Sequence, residues 1–184
     1  MSLLFYDFEV FKHNWLVCVI NPVTRERTTI WDSKFRFEKF YEKHKNEIWC
    51  GYNSRGYDTY IAKSILAGYN PYQMSEWIIK KKRKGHEFSS ALNRFPLINF
   101  DCMVEAFMGK SIDETEVPFD IDRPLTDEEK AKTEKYCFAD VEHTMEVFAE
   151  QKEEFTSYMA LLKLFDLPLS YVNKTKAQLS AAIL

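Results

Sequence analysis

Two acidic side chains near the amino terminus have the types and spacing to bind a metal ion. Asp7 and Glu9 lie in the stretch SLLFYDFEV, and in a β-strand both side chains would leave the same, otherwise apolar face. Two carboxylates about 4 Å apart repel by roughly 4 kcal/mol at an effective dielectric of about 20. Mg²⁺ or Mn²⁺, which prefers carboxylate oxygens, would remove that repulsion. The alternative is that the strand ends at Tyr6 and both acids reach water.

Two further segments carry groups that suit the same chemistry. Asp58 ends the stretch GYNSRGYD and falls in the first turn of a predicted helix, where negative charge is also favoured without a metal. Tyr136 and Asp140 are four residues apart in YCFADVEHTMEVF, so they lie on one side of a predicted helix. A phenol beside a metal cluster can hold a water by hydrogen bonding. A core tyrosine beside a surface aspartate gives the same pattern.

The order of predicted elements brings these segments together. Apolar periodicity and turn signals predict strands at 2–10, 15–20, 25–31, 47–52 and 96–103, and helices at 34–44, 57–68, 74–81 and 125–155. Thr126 is the predicted N-cap of the last helical region, with Glu129 completing a capping box. The predicted fold is α/β, with a mixed five-stranded sheet in which an antiparallel meander of three strands precedes parallel strands, flanked by helices. Carboxylates that converge on one edge of such a sheet favour a two-metal site.

Three short motifs resemble those of a known family. DFE at Asp7–Glu9, NSRGYD at Asn53–Asp58 and YCFAD at Tyr136–Asp140 resemble, in order, the three exonuclease motifs of the DEDD superfamily, tyrosine subclass. The likeness extends from Leu3 to Glu150 and implies the RNase H-like, three-layer fold of 3′–5′ proofreading exonuclease domains. The stretch from Val117 to Thr144 further resembles bacteriophage and prophage DNA polymerases, whose N-terminal domain is this exonuclease.

The resemblance implies a role for each matching position. Asp7, Glu9 and Asp140 would hold the metal ion that carries the attacking water, Asp7 would bridge to a second ion, and Asp58 would support that second ion through water. Tyr136 would orient the nucleophilic water. The expected cofactors are two divalent ions, Mg²⁺ or Mn²⁺, and the expected product is a nucleoside 5′-monophosphate.

Contacts with single-stranded DNA are also implied. The resemblance places Asn53, Tyr57 and Phe8 near the terminal nucleotides. Three residues separate Asn53 from Tyr57, whereas bacterial polymerase I-like enzymes usually have two, so the role of Asn53 and the polymerase family, A or B, stay open. The basic run Lys80 to Lys84, with Trp77 and Phe88 alongside, is a candidate DNA contact. A solvated loop, or a helix end whose lysines oppose the helix dipole, is the alternative.

Composition agrees with a globular domain and argues against a polybasic nucleic-acid coat. The chain has 184 residues, 46% of them apolar, and a net charge of −3, which still allows a local basic groove. Four cysteines lie in apolar runs without metal-ligand spacing, so we expect buried reduced thiols at Cys18, Cys50, Cys102 and Cys137. We find no signal peptide and no membrane-spanning stretch, which predicts a cytoplasmic protein without a membrane partner.

The last residues predict a boundary. We assign 1–165 to the exonuclease domain and 166–184 to the start of a following segment leading to a linked polymerase, because the final apolar helix stops without a capping glycine or polar tail. A short terminal helix docked on the same domain is the alternative. The leading functional hypothesis is a two-metal phosphodiester hydrolase that trims single-stranded DNA from its 3′ end and proofreads for that polymerase. The alternatives are a free-standing RNA or oligonucleotide exonuclease and a non-catalytic nucleic-acid-binding module.

Overall fold

The secondary structure follows the predicted order of elements. A computed structural model describes residues 2–102 and 116–184. The strands are β1 (Leu3–Val10), β2 (Trp15–Ile20), β3 (Arg27–Trp31), β4 (Ile48–Gly51) and β5 (Asn99–Asp101). The α-helices in these ranges are α1 (Lys34–His44), α2 (Asp58–Leu66), α3 (Pro71–Ile79), α4 (Asp127–Glu150), α5 (Lys152–Leu164) and α6 (Lys176–Ile183).

One mixed sheet forms the centre of the fold. Its strand order is β3-β2-β1-β4-β5, so β1 lies in the middle. β2 pairs antiparallel with both β1 and β3, whereas β4 pairs parallel with β1 and with β5. The predicted α/β class and the mixed five-stranded sheet, a meander followed by parallel strands, are confirmed.

Helices cover both faces of this sheet. Tyr6 and Trp49 project from one face into an apolar cluster shared with Phe37 of α1. Phe5 projects from the other face into a second cluster that includes Phe148 of α4. Because a central strand contributes to both clusters, β1 is buried on both faces, as its sequence indicates.

The ends of the elements show which sequence signals were accurate and which were not. Thr126 caps α4, and its side chain and that of Glu129 form the predicted capping box. The predicted helical region 125–155 is interrupted at Gln151, where α4 ends and α5 begins. The predicted strand at 96–103 is too long, since β5 contains only Asn99–Asp101; Met103 lies outside the described residues.

The cysteines and the last residues both join the cluster beneath α4. Cys18, Cys50, Cys102 and Cys137 are buried and form no disulfide, as expected of reduced thiols. In the segment 166–184, Val172 and Leu179 are buried in the same cluster. The polymerase predicted to follow this segment stays a prediction. Within the described residues, no helix is long and apolar enough to cross a membrane.

Candidate active site

β1 presents two acids on one buried face. The strand runs to Val10, so the alternative in which it ends at Tyr6 is wrong. Asp7 is opposite Cys18 on β2 and Glu9 is opposite Leu16, and both acids share a face with Phe5. Asp7 is half-buried, and only 5% of Glu9 is exposed. The sequence therefore places a carboxylate pair inside the fold.

Helix α4 crosses this pair and adds a thiol that the sequence analysis assigned only to the core. The Cys137 sulfur donates to the backbone oxygen of Asp7 at 3.6 Å and to Asp7 Oδ2 at 3.8 Å. Potential ligand atoms of Asp7, Glu9 and Cys137 all lie within 4.8 Å of one another. Burial, followed by a hydrogen bond with the Cys18 thiol, raises the pKa of Cys137 well above its usual range. Mg²⁺ and Mn²⁺ prefer oxygen ligands to sulfur, so the carboxylates are the stronger donors for these ions.

Asp58 reaches β1 from the start of α2. Its Oδ1 accepts a hydrogen bond from the backbone N–H of Phe8 at 3.3 Å, and only 4% of Asp58 is exposed. The pairing of β1 with β4 covers Leu3 to Phe5, so Phe8 lies beyond the end of that ladder. The Asp58 carboxylate thus occupies the position where a neighbouring strand would otherwise continue.

A compact loop after β4 fixes the approach of Asp58. A Cβ added at Gly51 would lie 2.5 Å from the Cβ of Ser54, so the turn requires glycine. Asn53 has a φ of 55°, a left-handed conformation that asparagine tolerates well. The backbone N–H of Arg55 donates to Asp101 Oδ2 at 2.8 Å. Asp101, at the end of β5 and only 3% exposed, is a fifth acid at this edge that the sequence analysis did not single out.

A buried network of hydrogen bonds also holds the loop that follows β4. The Tyr6 hydroxyl donates to Asn99 Oδ1 at 2.8 Å, and Ser54 Oγ lies 3.1 Å from the same oxygen. The backbone N–H of Asn99 in turn donates to Asn173 Oδ1 at 2.6 Å. The loop that carries Asp58 is therefore tied to β1, to β5 and to the segment before α6.

The acids act on each other electrostatically. Burial raises the pKa of Glu9 well above its usual range, and the charges of Asp7, Asp140 and Asp58 raise it further. Burial and then Asp7 raise the pKa of Asp58, against the opposing effect of the Phe8 N–H bond. The charges of Asp58 and Asp140 therefore act on Glu9 together with that of Asp7. Within the described residues, the group with ligand atoms less than 4.8 Å apart contains Asp7, Glu9 and Cys137 but neither Asp58 nor Asp140.

Tyr136 and Asp140 approach these acids from α4. Asp140 is 9% exposed and Tyr136 is half-buried. Burial raises the pKa of Tyr136, and the nearby charges of Asp140 and Glu9 add to the rise. The phenol therefore keeps its proton at neutral pH and can donate a hydrogen bond beside the acids.

A cavity of about 410 Å³ opens beside Glu9. Tyr57 lines it, with its hydroxyl 2.8 Å from Ser75 Oγ, and Phe8 also borders it. The ring of Phe8 is otherwise a core group, with only 4% of the residue exposed and its centroid 5.5 Å from that of Phe37. Asn53 is exposed on the loop and is not among the lining residues.

Helix α3 supplies the rest of the cavity wall, which the sequence analysis did not predict. The contributing side chains include Tyr72 near the start of this helix, Ile79 at its end and Lys80 just beyond it, together with Phe119. The volume lies in the range of about 300–1,000 Å³ that is typical of small-ligand sites. The cavity therefore offers an apolar chamber with one acidic side.

The donor set fits divalent cations of the hard kind. Mg²⁺ and Mn²⁺ prefer carboxylate oxygens, and burial raises the pKa of Glu9 and of Asp58, which disfavours their ionised forms. A bound cation would reverse that effect by favouring ionised carboxylates. No protein-family model, curated protein or solved structure that was compared with the chain matches it.

Proposed function

We propose that this chain is a metal-dependent 3′–5′ exonuclease that removes 5′-mononucleotides from the 3′ end of single-stranded DNA. The observation that carries the proposal is the gathering of Asp7, Glu9, Asp58 and Asp140, from three distant segments, into one partly desolvated neighbourhood. Uncompensated, such a group opposes folding. Its presence is best explained by cations that bind when the protein works.

The chain's own residues have complementary tasks in this proposal. Asp7, Glu9 and Asp140 would hold one divalent ion, and Asp7 with Asp58 would hold a second. When bound, the two ions supply a nucleophile near neutral pH and stabilise the departing 3′ oxygen. Tyr136 keeps its proton and donates a hydrogen bond that orients the attacking water.

The cavity beside Glu9 supports a terminal nucleotide as the substrate. Its apolar lining from Tyr57, Tyr72 and Ile79 suits a nucleobase, and its acidic side suits the cation-bound phosphate. A base inside a duplex cannot enter such a chamber without leaving its stack, so a frayed single-stranded end is the expected substrate.

The linked polymerase and the cytoplasmic location belong to the same proposal. They rest on the likeness of the stretch from Val117 to Thr144 to bacteriophage and prophage DNA polymerases. A proofreading role requires that the exonuclease accept DNA in preference to RNA, so trimming of matched DNA and RNA strands distinguishes it from an RNA exonuclease.

The experiment uses the full chain with Mg²⁺ or Mn²⁺ and a strand labelled at its 5′ end. We expect the labelled strand to shorten stepwise from its 3′ end, which gives a ladder of products, and 5′-mononucleotides to be released. Asp7→Ala should abolish this ladder while the circular dichroism spectrum stays that of the wild type. Glu38→Ala, which removes an exposed acid of α1, is the matched control and should trim normally. Wild-type trimming by Asp7→Ala would contradict the assigned site.

A further inference from the structure

We propose that the basic segment at residues 80–84, which follows α3, binds backbone phosphates of single-stranded DNA on the 5′ side of the nucleotide in the Glu9 cavity. This inference rests on the proposed function and deepens it by assigning the path of the strand. The sequence alone left this segment open between a DNA contact and a solvated loop.

The basic segment lies next to the proposed nucleotide cavity. Ile79 and Lys80 line the same cavity as Glu9 and Tyr57. The basic segment therefore begins at the cavity rim rather than on a remote face. A strand whose terminal nucleotide lies in the cavity must leave across that rim, and Lys80 is one of the groups that it meets.

The positive charges of the basic segment are available to bind phosphate. Residues 80–84 are all exposed. Lys80 is held by Glu76, with Nζ 2.6 Å from Oε1. Among the residues that the structure describes, Lys81, Lys82, Arg83 and Lys84 form no ion pair. Four cationic side chains thus face solvent beside the mainly apolar cavity that Glu9 borders.

Contacts with neighbouring aromatic residues hold the backbone of the basic segment in place. Trp77 Nε1 donates to the backbone oxygen of Lys84 at 3.1 Å, and the Trp77 ring packs edge-on against Phe88 at a centroid distance of 5.5 Å. A Cβ added at Gly85 would lie 2.2 Å from the Tyr60 ring, so this close approach also fixes the end of the segment. An anchored segment loses less conformational entropy when it binds a strand.

An aromatic ring lies beside the charges of the basic segment. Lys81 Nζ lies 5.4 Å from the centroid of the Trp77 ring, and Arg83 Cζ lies 6.0 Å from it. Aromatic rings interleaved with basic groups are typical of surfaces that bind single strands. The helix-dipole explanation does not account for the whole segment, because that effect falls off within the last turn and Lys82 to Lys84 lie beyond the end of α3.

The test measures binding and trimming on the full chain. In the variant Lys81→Gln/Lys82→Gln/Lys84→Gln, we measure the fluorescence anisotropy of a labelled single-stranded DNA oligonucleotide in EDTA. We expect the affinity to fall at least about tenfold, and the slope of log K against log salt to weaken by about 2, since each phosphate contact contributes about 0.7. With Mg²⁺, KM for the oligonucleotide should rise and kcat should stay unchanged. A dinucleotide, too short to reach the segment, should be trimmed as by the wild type.

The control removes the same charge elsewhere. Lys39→Gln/Lys43→Gln/Lys45→Gln neutralises three exposed lysines in or next to α1. Lys43 borders a cavity with Leu4, at the opposite end of β1 from Glu9. We expect this triple variant to bind as the wild type does. Lys81→Arg/Lys82→Arg/Lys84→Arg, which keeps the charge, should retain affinity and so separates a charge effect from a folding defect.

Each outcome decides the inference. An equal loss in both glutamine variants, no loss in either, or an equal loss in the arginine variant would overturn it. The binding arm is independent of the proposed activity, because EDTA removes the metal. A wild-type chain that binds DNA through this segment but trims nothing would overturn the proposed function and leave the binding surface standing.

Discussion

Glu9→Gln should make the metal-free protein more stable while it removes metal binding. Glutamine has nearly the shape of glutamate but no charge. Only 5% of Glu9 is exposed, and its ligand oxygen lies within 4.8 Å of one from Asp7. Without a cation, the substitution therefore removes a repulsion and leaves the packing unchanged.

The size of the effect follows from that separation. Two unit charges 4.8 Å apart, the upper limit of the separation, repel by about 3.5 kcal/mol at an effective dielectric of about 20. Asp7 is half-buried, so solvent screens part of this repulsion. We expect the free energy of unfolding at neutral pH to rise by about 1–3 kcal/mol.

The sign of the pH dependence is also fixed. Burial and neighbouring acids raise the pKa of Glu9 in the folded state above its unfolded value. The stability that protonated Glu9 contributes is therefore fully present below the unfolded pKa and is lost as pH rises through the folded pKa. The gain from Glu9→Gln should be larger at about pH 8 than at about pH 5.

The assay is urea unfolding in EDTA and again with Mn²⁺. Glu38→Gln is the control, because Glu38 is an exposed acid paired with Lys34 at 3.0 Å and its loss should cost at most about 0.5 kcal/mol. A ligand at a hundred times its dissociation constant stabilises the folded state by about 2.7 kcal/mol. Mn²⁺ should therefore stabilise the wild type more than Glu9→Gln. The difference in the free energy of unfolding between the two proteins should shrink or change sign. Destabilisation of the metal-free variant, or an equal Mn²⁺ effect in both proteins, would refute the reasoning.

Two other substitutions test the tyrosine and the loop. Tyr136→Phe should lower kcat by about a hundredfold while Mn²⁺ affinity, measured by calorimetry, stays unchanged, because the phenol acts on water and not as a ligand; a matching loss of affinity would contradict that role. Gly51→Ala places a Cβ 2.5 Å from that of Ser54 and should destabilise the protein by about 1–3 kcal/mol in urea unfolding. Gly56→Ala, whose Cβ would come no closer than 3.8 Å to its nearest neighbour, is the control; similar losses in the two alanine variants would show that the turn does not require glycine.

Local patterns predicted the frame of this molecule. The apolar alternation around Tyr6 and Phe8 identified a strand buried on both faces, and Thr126 with Glu129 marked the start of α4. These signals lie within a few residues of the feature that they predict. The expectation that Asp7 and Asp140 converge followed from the order of the elements and the sheet that this order implies.

The missed residues depend on packing between distant elements. Cys137 fits the apolar stripe of its helix, and only the crossing of α4 over β1 brings its sulfur to Asp7. Asp101 ends a short strand, and it contacts the site through a hydrogen bond from the backbone N–H of Arg55, which lies in the loop after β4. The cavity wall from α3 likewise needs the docking of that helix beside Glu9. No spacing within one segment encodes such contacts.

Anomalous scattering from a crystal soaked in Mn²⁺ tests the central claim most directly. Carboxylate oxygens coordinate hard divalent cations at about 2.0–2.6 Å, so any bound ion is assigned by its ligands. We predict one or two anomalous peaks among Asp7, Glu9, Asp58 and Asp140, and their loss in a crystal of Glu9→Gln or Asp7→Ala. An ordered site with no peak there, or with these side chains turned apart into solvent, would contradict the account.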